Sequence, residues 1–328
     1  MKSSNTLGKT GIRVSPIGLG TTEIGYAYGI GPRDLPDEKT AIALLRRAVD
    51  LGINFIDTGH FYAAAEERIG KSGITKIEGV VVSTKCGHVL DRGDKITNEE
   101  LAKQFREEIE GSLKKLNLDC IPLVQIHGGS AEQISSGIIS EIMNTLKKEG
   151  KLKHFGISTR GEEAPLAAIK DGNFETLQLA HSIFDQRMLP RVFPEAKKHN
   201  IGIINRSVLL KGALTPARVH LAPTLVGLKT NGDTAEKIAK EIGIELPTLA
   251  IRFALSNPSI DTVLVGSNKI KNLESAVRAA ESGPLPNDVL KKLNVLAVHD
   301  PMEVDPKNWP TDYVSDVKDG KKVHGHSK

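Results

Sequence analysis

Three ionisable residues stand at the ends of short apolar runs, each where a buried strand would lead into a polar loop. Asp57 ends the first run and is followed five residues later by Tyr62, in the segment G-I-N-F-I-D-T-G-H-F-Y at 52–62. Lys85 ends the second run, V-V-V-S-T-K-C-G, and His127 ends the third, I-P-L-V-Q-I-H-G-G. Because the carboxyl ends of parallel strands share one face of a barrel, the pattern predicts that these side chains meet there.

These residue types suit proton transfer to a reacting oxygen. A phenol is a weak proton donor at neutral pH, but an ammonium group beside it stabilises the phenolate and makes the transfer easier. We expect Asp57 to keep Lys85 charged and in place, and Lys85 to act on Tyr62. A neutral imidazole at His127 can hold a carbonyl oxygen within reach of the tyrosine hydroxyl. The set therefore predicts protonation of an oxyanion that forms when hydride adds to a carbonyl.

Periodicity along the chain predicts eight strands that alternate with eight helices. The predicted strands are Ile17–Gly20, Ile53–Ile56, Val80–Thr84, Ile121–Ile126, His154–Ile157, Thr176–Leu179, Ile203–Asn205 and Val263–Val265. The predicted helices are 38–51, 63–72, 97–117, 131–149, 162–171, 190–199, 234–256 and 270–282. This alternation favours an α/β fold, a single-domain (β/α)8 TIM barrel over residues 1–283. A doubly wound sheet would carry G-x-G-x-x-G after its first strand, and the cluster I-G-L-G-T-T-E-I-G at 17–25 lacks the third glycine.

Two segments fall outside the repeat: 207–232, after the seventh strand, and the tail 284–328. Long loops on a compact barrel are often functional. We therefore expect 207–232 to be an extended loop that covers a cofactor or substrate, and 284–328 to cover or flank the barrel mouth. The run K-K-V-H-G-H-S-K at 321–328 has two histidines without carboxylate or cysteine ligands, which favours a solvated terminus over a metal site.

Composition argues against several classes of protein. A hydrophobic content of 39% and a charged content of 26% are typical of a globular domain, and no apolar run approaches the roughly 20 residues that span a bilayer. The chain start lacks the apolar core of a secretory signal, and two cysteines, Cys86 and Cys120, suit unpaired thiols. We therefore expect a cytoplasmic protein. The dispersed net charge of +4 and the aromatic content of 4% argue against nucleic acid as a partner.

Several separated motifs over positions 7–283 resemble those of the aldo-keto reductases. The family pattern Gly-Ile-Asn-x-Ile/Phe-Asp-Thr-Ala-x-x-Tyr is similar to 52–62, its serine-x-lysine strand end to S-T-K-C-G at 83–87, and its histidine segment to 112–128. The resemblance implies a catalytic tetrad, with Tyr62 as general acid in carbonyl reduction and as general base in alcohol oxidation. The other implied members are Asp57, Lys85 and His127.

The resemblance further implies a nicotinamide dinucleotide across the barrel mouth, without a metal. Thr159 stands where the family has an asparagine that helps Ser158 and Gln178 to hold the carboxamide. Arg206 stands where the family usually has an aromatic ring that stacks on the nicotinamide. The implied cofactor-binding residues are Gly20, Thr21, Asp57, Ser158, Thr159, Gln178, Arg206, Ser207, Leu209, Lys211, Gly212, Gly266, Ser267, Asn268, Lys269 and Asn272.

The choice between the two dinucleotides depends on the segment V-L-V-G-S-N-K-I-K-N-L-E-S-A-V at 263–277, which resembles the family segment that holds the adenosine phosphate. Asn268 occupies the usual basic position, which weakens a dedicated 2′-phosphate site, although the adjacent Lys269 could substitute as a point charge. We expect NADP(H) slightly in preference to NAD(H), on family habit.

Two other functions remain open at this point. One is a redox-silent, cofactor-binding regulator, because relatives with an intact tetrad serve as channel subunits or sensors. The other is a barrel lyase or isomerase without a nicotinamide, which Thr159, Arg206 and Ala276 permit. The loops at 21–37, 88–96, 207–232 and 300–315 are more polar than apolar, which favours a sugar-like carbonyl or alcohol substrate. The oligomeric state is open, since no heptad repeat is legible.

Overall fold

Eight parallel strands close into a barrel in the computed structural model, which describes residues 4–93, 95–310, 317–318 and 321–322 of the chain. The strands follow chain order around the barrel, and the last pairs with the first. They are β1 (Ile17–Gly20), β2 (Phe55–Asp57), β3 (Val81–Cys86), β4 (Ile121–His127), β5 (Leu152–Ser158), β6 (Thr176–Ala180), β7 (Gly202–Arg206) and β8 (Thr262–Gly266). The predicted (β/α)8 barrel is confirmed. A short hairpin of Asn5–Thr6 with Arg13–Val14 precedes it.

Helices surround the barrel. In the described residues they are α1 (Glu38–Asp50), α2 (Ala65–Ser72), α3 (His88–Arg92), α4 (Asn98–Leu116), α5 (Ala131–Ser135), α6 (Ile138–Lys148), α7 (Glu163–Asp171), α8 (Val192–Lys198), α9 (Val226–Glu241), α10 (Leu246–Leu255), α11 (Ile270–Glu281), α12 (Asn287–Asn294) and α13 (Pro301–Val304). None of them combines the length and the apolar character needed to cross a lipid bilayer. Both cysteines are free thiols.

Two predicted helices are wrong as single elements. The segment 131–149 forms α5 and α6, because Gly137 takes a left-handed φ of 80° between them. The segment 234–256 forms parts of α9 and α10, because Gly243 takes a φ of 70° and Pro247 lies in the first turn of α10. Helix α9 already begins at Val226, so the extended loop after β7 is shorter than the predicted 207–232.

Up to residue 310, the tail is ordered into α12, α13 and a 3-10 turn at Pro306–Asn308. Trp309 is buried in an apolar cluster that also contains Phe184 and Leu228, and its Nε1 donates to the Glu303 carbonyl at 2.6 Å. The Val298 backbone N–H donates to the Phe184 carbonyl at 2.8 Å. These contacts fix residues 297–309 to the barrel. The run 321–328 lies outside the described residues, apart from a short strand at Lys321–Lys322.

Strand register explains how distant residues reach one face. Gly20 pairs with Asp57 across β1 and β2, and with Gly266 across β1 and β8. On the other side of the barrel, His127 pairs with Ser158, which pairs with Gln178. All of these residues but Gln178 are the last of their strands, and Gln178 is the middle residue of β6, so they lie toward the carboxyl ends, where α/β barrels carry their sites.

Candidate active site

A buried ion pair joins the ends of β2 and β3. Lys85 Nζ donates to Asp57 Oδ2 at 2.6 Å and to the Thr58 carbonyl at 2.8 Å. The other carboxylate oxygen, Asp57 Oδ1, accepts from Gln178 Nε2 at 2.7 Å. Burial opposes the charge on Lys85, but Asp57 and Tyr62 outweigh it and raise the pKa of Lys85. The lysine is therefore an ammonium group at neutral pH.

The Tyr62 ring lies beside this ammonium group. Lys85 Nζ is 4.9 Å from the ring centroid, and the two side chains share a hydrogen bond. Tyr62 sits in the turn between β2 and α2, where its backbone N–H donates to the Gly59 carbonyl at 2.8 Å. The structure thus brings three of the four predicted catalytic residues into direct contact.

His127 belongs to the same aromatic cluster but does not hydrogen-bond these three residues in the structure. The Phe61 ring lies 4.7 Å from the Tyr62 ring and 4.7 Å from the His127 ring, between centroids. His127 Nδ1 is 3.2 Å from Nδ1 of His88, the first residue of α3. Burial lowers the pKa of His127 well below its ordinary value, so the imidazole is neutral near pH 7.

His88, Asp91 and His127 form a group whose possible metal-ligand atoms lie within 4.8 Å of one another. The Asp91 carboxylate already forms an ion pair with Arg160, and Lys307 Nζ lies 3.6 Å from its Oδ2. Two cations on the one carboxylate oppose a third positive charge at this position. We therefore assign these histidines to hydrogen bonding rather than to metal binding.

The residues expected to hold the carboxamide lie together at the ends of β5, β6 and β7. Ser158 Oγ donates to Gln178 Oε1 at 3.3 Å. Thr159 Oγ1 is buried and has no hydrogen-bond partner among the described residues, so it can serve a ligand amide. Arg206 Nη2 donates to the Thr159 carbonyl at 2.9 Å, and Nη1 donates to Ser207 Oγ at 3.2 Å. The guanidinium therefore contacts this group and does not project into solvent.

The loop after β7 carries further predicted cofactor residues on an unusual backbone. Ser207, Leu210 and Lys211 all take positive φ values, between 42° and 60°. Such strain in non-glycine residues is concentrated at functional loops. Lys211 Nζ lies 4.7 Å from the Tyr28 ring centroid. Leu209 is partly buried against the core, and Gly212 takes a φ of 111° that a side chain would strain.

The loop after β8 is organised by Ser267. Its Oγ accepts from the Lys269 backbone N–H at 3.0 Å and from Asn272 Nδ2 at 3.1 Å. Across β1 and β8, Gly20 and Gly266 add no side chains at the strand ends, and a Cβ on Gly20 would lie in ordinary contact with Gly266, at 3.7 Å. At the end of β1, the Thr21 hydroxyl donates to the Asp57 carbonyl at 2.9 Å. Thr21 therefore helps to fix the backbone of Asp57, the partner of Lys85.

A carboxylate stands beside this loop. Glu23 accepts a hydrogen bond from the Asn268 backbone N–H, and its Oε1 lies 3.5 Å from the place of a Cβ on Gly266. Burial raises the pKa of Glu23, while Arg33 and Lys269 oppose this rise. The sequence predicts a phosphate at these backbone donors, and the structure shows that one of them already binds an internal acid.

A model of the Aldo/keto reductase family matches residues 16–297. The chain belongs to this family. It is 31% identical over 289 residues to L-galactose dehydrogenase of Arabidopsis thaliana, which covers 83% of this chain and 86% of that protein. It is 32% identical over 227 residues to the NADH-specific methylglyoxal reductase of Escherichia coli, which covers 64% and 68%. The holo form of aldo-keto reductase AKR11C1 from Bacillus halodurans shares the fold, with a TM-score of 0.73 at 24% identity, over 91% of this chain and 97% of that one.

Sequence reasoning missed two polar residues of this aldo/keto reductase that touch its candidate site. His88 follows the predicted strand end at Lys85, and its place directly after a strand-ending glycine could have marked it. Glu23 had no such signal, because a single glutamate in G-T-T-E-I-G matches no pattern. His60, between Asp57 and Tyr62 in the chain, contacts helix α4, with Nδ1 3.2 Å from Ser112 Oγ.

Proposed function

We propose that this aldo/keto reductase interconverts an aldehyde or ketone and its alcohol by hydride transfer with NAD(P)H, and that Tyr62 is the general acid and base. The observation that carries the proposal is the contact of Lys85 with both Asp57 and Tyr62. Lys85 Nζ, held at 2.6 Å by the buried Asp57 carboxylate, lies beside the Tyr62 ring, where its positive charge can stabilise the negative oxygen that forms during proton transfer.

The chemistry divides between the cofactor and the protein. A bound nicotinamide supplies or accepts the hydride. In the reductive direction, Tyr62 gives its proton to the carbonyl oxygen, and Lys85 stabilises the phenolate that remains. Asp57 keeps Lys85 charged, and Gln178 keeps Asp57 oriented. His127, which is neutral, donates a ring N–H to the same oxygen. In the oxidative direction, Tyr62 takes up the proton.

The residues at the barrel mouth fit a nicotinamide dinucleotide. Ser158, Thr159 and Gln178 would hold the carboxamide, and the unpaired Thr159 Oγ1 supports that assignment because a buried hydroxyl normally has a partner. At the end of β1, Gly20 adds no side chain between the backbone and a ligand, whereas the Glu23 carboxylate lies beside Gly266 at the end of β8. The strained loop after β7 and the Ser267 loop would bind the remaining parts, the pyrophosphate and the adenosine.

The cofactor preference depends on opposing observations. Family habit favours NADP(H), and Lys269 supplies one positive charge near the Ser267 loop. The Glu23 carboxylate opposes an additional phosphate at the same loop, and a relative is named for its NADH specificity. We propose that both dinucleotides bind and that Glu23 decreases the advantage of NADP(H).

A small polar carbonyl compound, such as a sugar-like aldehyde, is the proposed substrate. The side chains around His127 and Arg206 include Asp91, Arg160 and Asp305, which are charged and only partly exposed. Such a rim can bind hydroxyl groups and offers little apolar area for a steroid or a long chain. A relative named L-galactose dehydrogenase is consistent with this class.

The test is a fluorescence titration with NADPH and NADH, followed by cofactor oxidation in the presence of aldehydes and aldoses. We expect Tyr62→Phe to retain cofactor binding and to lose turnover by about 10²- to 10⁴-fold, the usual contribution of a general acid. Tyr26→Phe is the matched control, because its ring centroid lies 6.3 Å from that of Tyr62 and it has no assigned role.

Three other outcomes of this test would contradict the proposal. Equal turnover in Tyr62→Phe and the wild type would remove Tyr62 from the chemistry. Tight dinucleotide binding without oxidation by any carbonyl would favour the redox-silent regulator. Failure of both dinucleotides to bind would contradict hydride transfer and favour the lyase or isomerase.

A further inference from the structure

His88 and His127 share one proton between two ring nitrogens. Their Nδ1 atoms are 3.2 Å apart, which is a hydrogen-bond distance, so one Nδ1 donates and the other accepts. His127 is neutral and carries a single ring N–H. If the shared proton belongs to His88, the N–H of His127 is on Nε2. If it belongs to His127, Nε2 is a bare acceptor.

These two arrangements differ in what His127 can do for a carbonyl substrate. A carbonyl oxygen and the oxyanion that forms from it both need a hydrogen-bond donor. The Nε2–H tautomer of His127 is such a donor. In the Nδ1–H tautomer, the lone pair on Nε2 would face a lone pair on the substrate oxygen. The position of one proton therefore determines whether His127 can stabilise the substrate oxygen or repels it.

We propose that His88 is a positioning residue that donates its Nδ1–H to His127 Nδ1 and thereby fixes His127 in the Nε2–H tautomer. This role rests on the proposed carbonyl chemistry, because that chemistry requires His127 as a donor. His88 itself needs no contact with the substrate. The arrangement follows the general rule that the partner of one imidazole nitrogen determines the state of the other.

The surroundings of His88 hold its ring in one orientation. The Phe61 ring stacks on it with 4.2 Å between centroids and 9° between planes. Gly87, directly before it, takes a φ of 78°, and a Cβ there would lie 2.7 Å from the Phe105 ring. The chain therefore enters α3 along a constrained path. Because the His88 ring is stacked on Phe61, its Nδ1 can point in only a narrow range of directions.

The Asp91 carboxylate, which lies in the same group of side chains, is another acceptor close to His88. Arg160 forms an ion pair with it, and Lys307 approaches it at 3.6 Å. Lys307 Nζ also donates to the Asp91 backbone carbonyl at 2.7 Å. These cations engage the carboxylate, whereas His127 Nδ1 lies at hydrogen-bond distance from His88 Nδ1, 3.2 Å away.

The experiment uses two substitutions at His88 with opposite effects on the donor. His88→Phe keeps a ring that can stack on Phe61 and removes the Nδ1–H. His88→Asn places an amide N–H close to the former Nδ1 and keeps the donor. The tautomer of His127 is read in each protein, without substrate or cofactor, by NMR of ¹⁵N-labelled histidine, and kcat and KM are measured on the aldehyde panel. Melting temperatures check that all proteins fold.

We expect His127 to be protonated on Nε2 in the wild type and in His88→Asn, and to be a mixture of tautomers in His88→Phe. We expect kcat to fall about 10- to 100-fold in His88→Phe with little change in KM, which is less than the roughly 10²- to 10³-fold loss on removing an oxyanion donor outright. His88→Asn should recover most of that loss. A merely structural role would not produce this tautomer change or this rescue.

The contrary results are distinct. An Nε2–H tautomer and an unchanged kcat in His88→Phe would overturn the role of His88, as would a folded His88→Asn with the losses of His88→Phe. If no carbonyl is reduced by the wild type while the His127 tautomer still depends on His88, the proposed function fails and the hydrogen-bond assignment stands.

Discussion

Lys85 and Asp57 face each other between β3 and β2, with 2.6 Å between Nζ and Oδ2 and side-chain exposures of only 1% and 5%. Gln178 binds the second carboxylate oxygen, and the Thr58 carbonyl binds the ammonium. The two charges are therefore removed from water and compensated by each other. Removing one partner of such a pair leaves an uncompensated buried charge, which costs far more than the loss of a surface pair.

We expect Asp57→Asn to lower the free energy of unfolding by about 3–5 kcal/mol, because the Lys85 ammonium would then lack a counter-charge. Urea denaturation at pH 7 measures this change. Glu38→Gln is the control, since it breaks an ion pair with Lys71 of nearly the same length, 2.8 Å, at the surface. We expect no measurable change there. Equal losses in the two variants would contradict the importance of burial.

His181 gives the protein a specific sensitivity to acid. Its Nδ1 is buried without a hydrogen-bond partner in the described part of the chain, and its ring stacks on Phe253 at 5.4 Å. Burial lowers the pKa of His181 from 6.5 to about 4. Between these values the unfolded chain binds a proton that the native protein does not, so the free energy of unfolding falls as the pH falls from 6.5 to 4.

The pKa difference of His181 corresponds to about 3 kcal/mol across that window, at roughly 1.4 kcal/mol for each pKa unit. We expect His181→Phe to lose less stability than the wild type between pH 6.5 and 4, and to show the same pH slope above pH 6.5. Urea denaturation at several pH values compares the two. His127 titrates in the same direction, so the informative quantity is the difference between the curves. Parallel curves throughout would contradict this assignment.

The barrel and the contacts around Lys85 could be predicted because their signals are local. Apolar runs that end in Asp57, Lys85 and His127 indicate strands whose ends share a face, and the alternation with helices indicates the barrel. The breaks at Gly137 and Gly243 were missed because apolar spacing continues across them, and only the backbone angle shows the change. The spacing of apolar residues indicates where helices and strands form, but it does not show where a glycine with a left-handed backbone conformation interrupts a helix.

Side-chain partners between loops could not be predicted in the same way. His88 and His127 are 39 positions apart, and their contact depends on the course of two loops. The hydrogen bond from Asn268 to Glu23 joins the loops after β8 and β1, which become neighbours only when the barrel closes. No periodic pattern marks such pairs. Their contacts become visible only in the folded structure.

Arg160, in the loop after β5, connects the barrel mouth to the carboxyl-terminal segment. It forms ion pairs with Asp91 and with Asp305, the latter with 3.1 Å between Nε and Oδ1. Asp305 follows α13 directly. We expect Arg160→Gln to raise the hydrogen-exchange rates of the amides in 301–309 by about 5- to 10-fold, because local opening then costs roughly 1 kcal/mol less.

Hydrogen exchange read by mass spectrometry measures the effect on this segment. Arg191→Gln is the matched control, because its partner Glu163 is 71% exposed and lies on α7. We expect exchange in 301–309 to stay at the wild-type rate in that variant. Unchanged exchange in Arg160→Gln would mean that the apolar packing of Trp309 holds the segment by itself.

In the proposed cofactor complex, a phosphate at the loop after β8 would compete with Glu23 for the same backbone donor. Glu23 accepts the Asn268 N–H, with Arg33 and Lys269 as its cationic neighbours. An ionised Glu23 repels a phosphate, and each phosphate charge increases that repulsion. NADPH carries one more phosphate group than NADH. The carboxylate should therefore weaken NADPH binding more than NADH binding.

We expect Glu23→Gln to tighten NADPH binding by about 3- to 10-fold, or roughly 1 kcal/mol, and to change NADH binding less. Burial raises the pKa of Glu23, so protonation at falling pH should also tighten NADPH binding to the wild type, and this pH dependence should be weaker in Glu23→Gln. Fluorescence titrations from pH 5 to 8 measure both effects. Glu107→Gln, on the exposed side of α4, is the control for a change in net charge. If Glu23→Gln tightens the binding of NADPH and NADH equally, the carboxylate lies near a group that both dinucleotides carry, which contradicts its effect on cofactor preference. If the substitution tightens neither, Glu23 does not oppose phosphate binding.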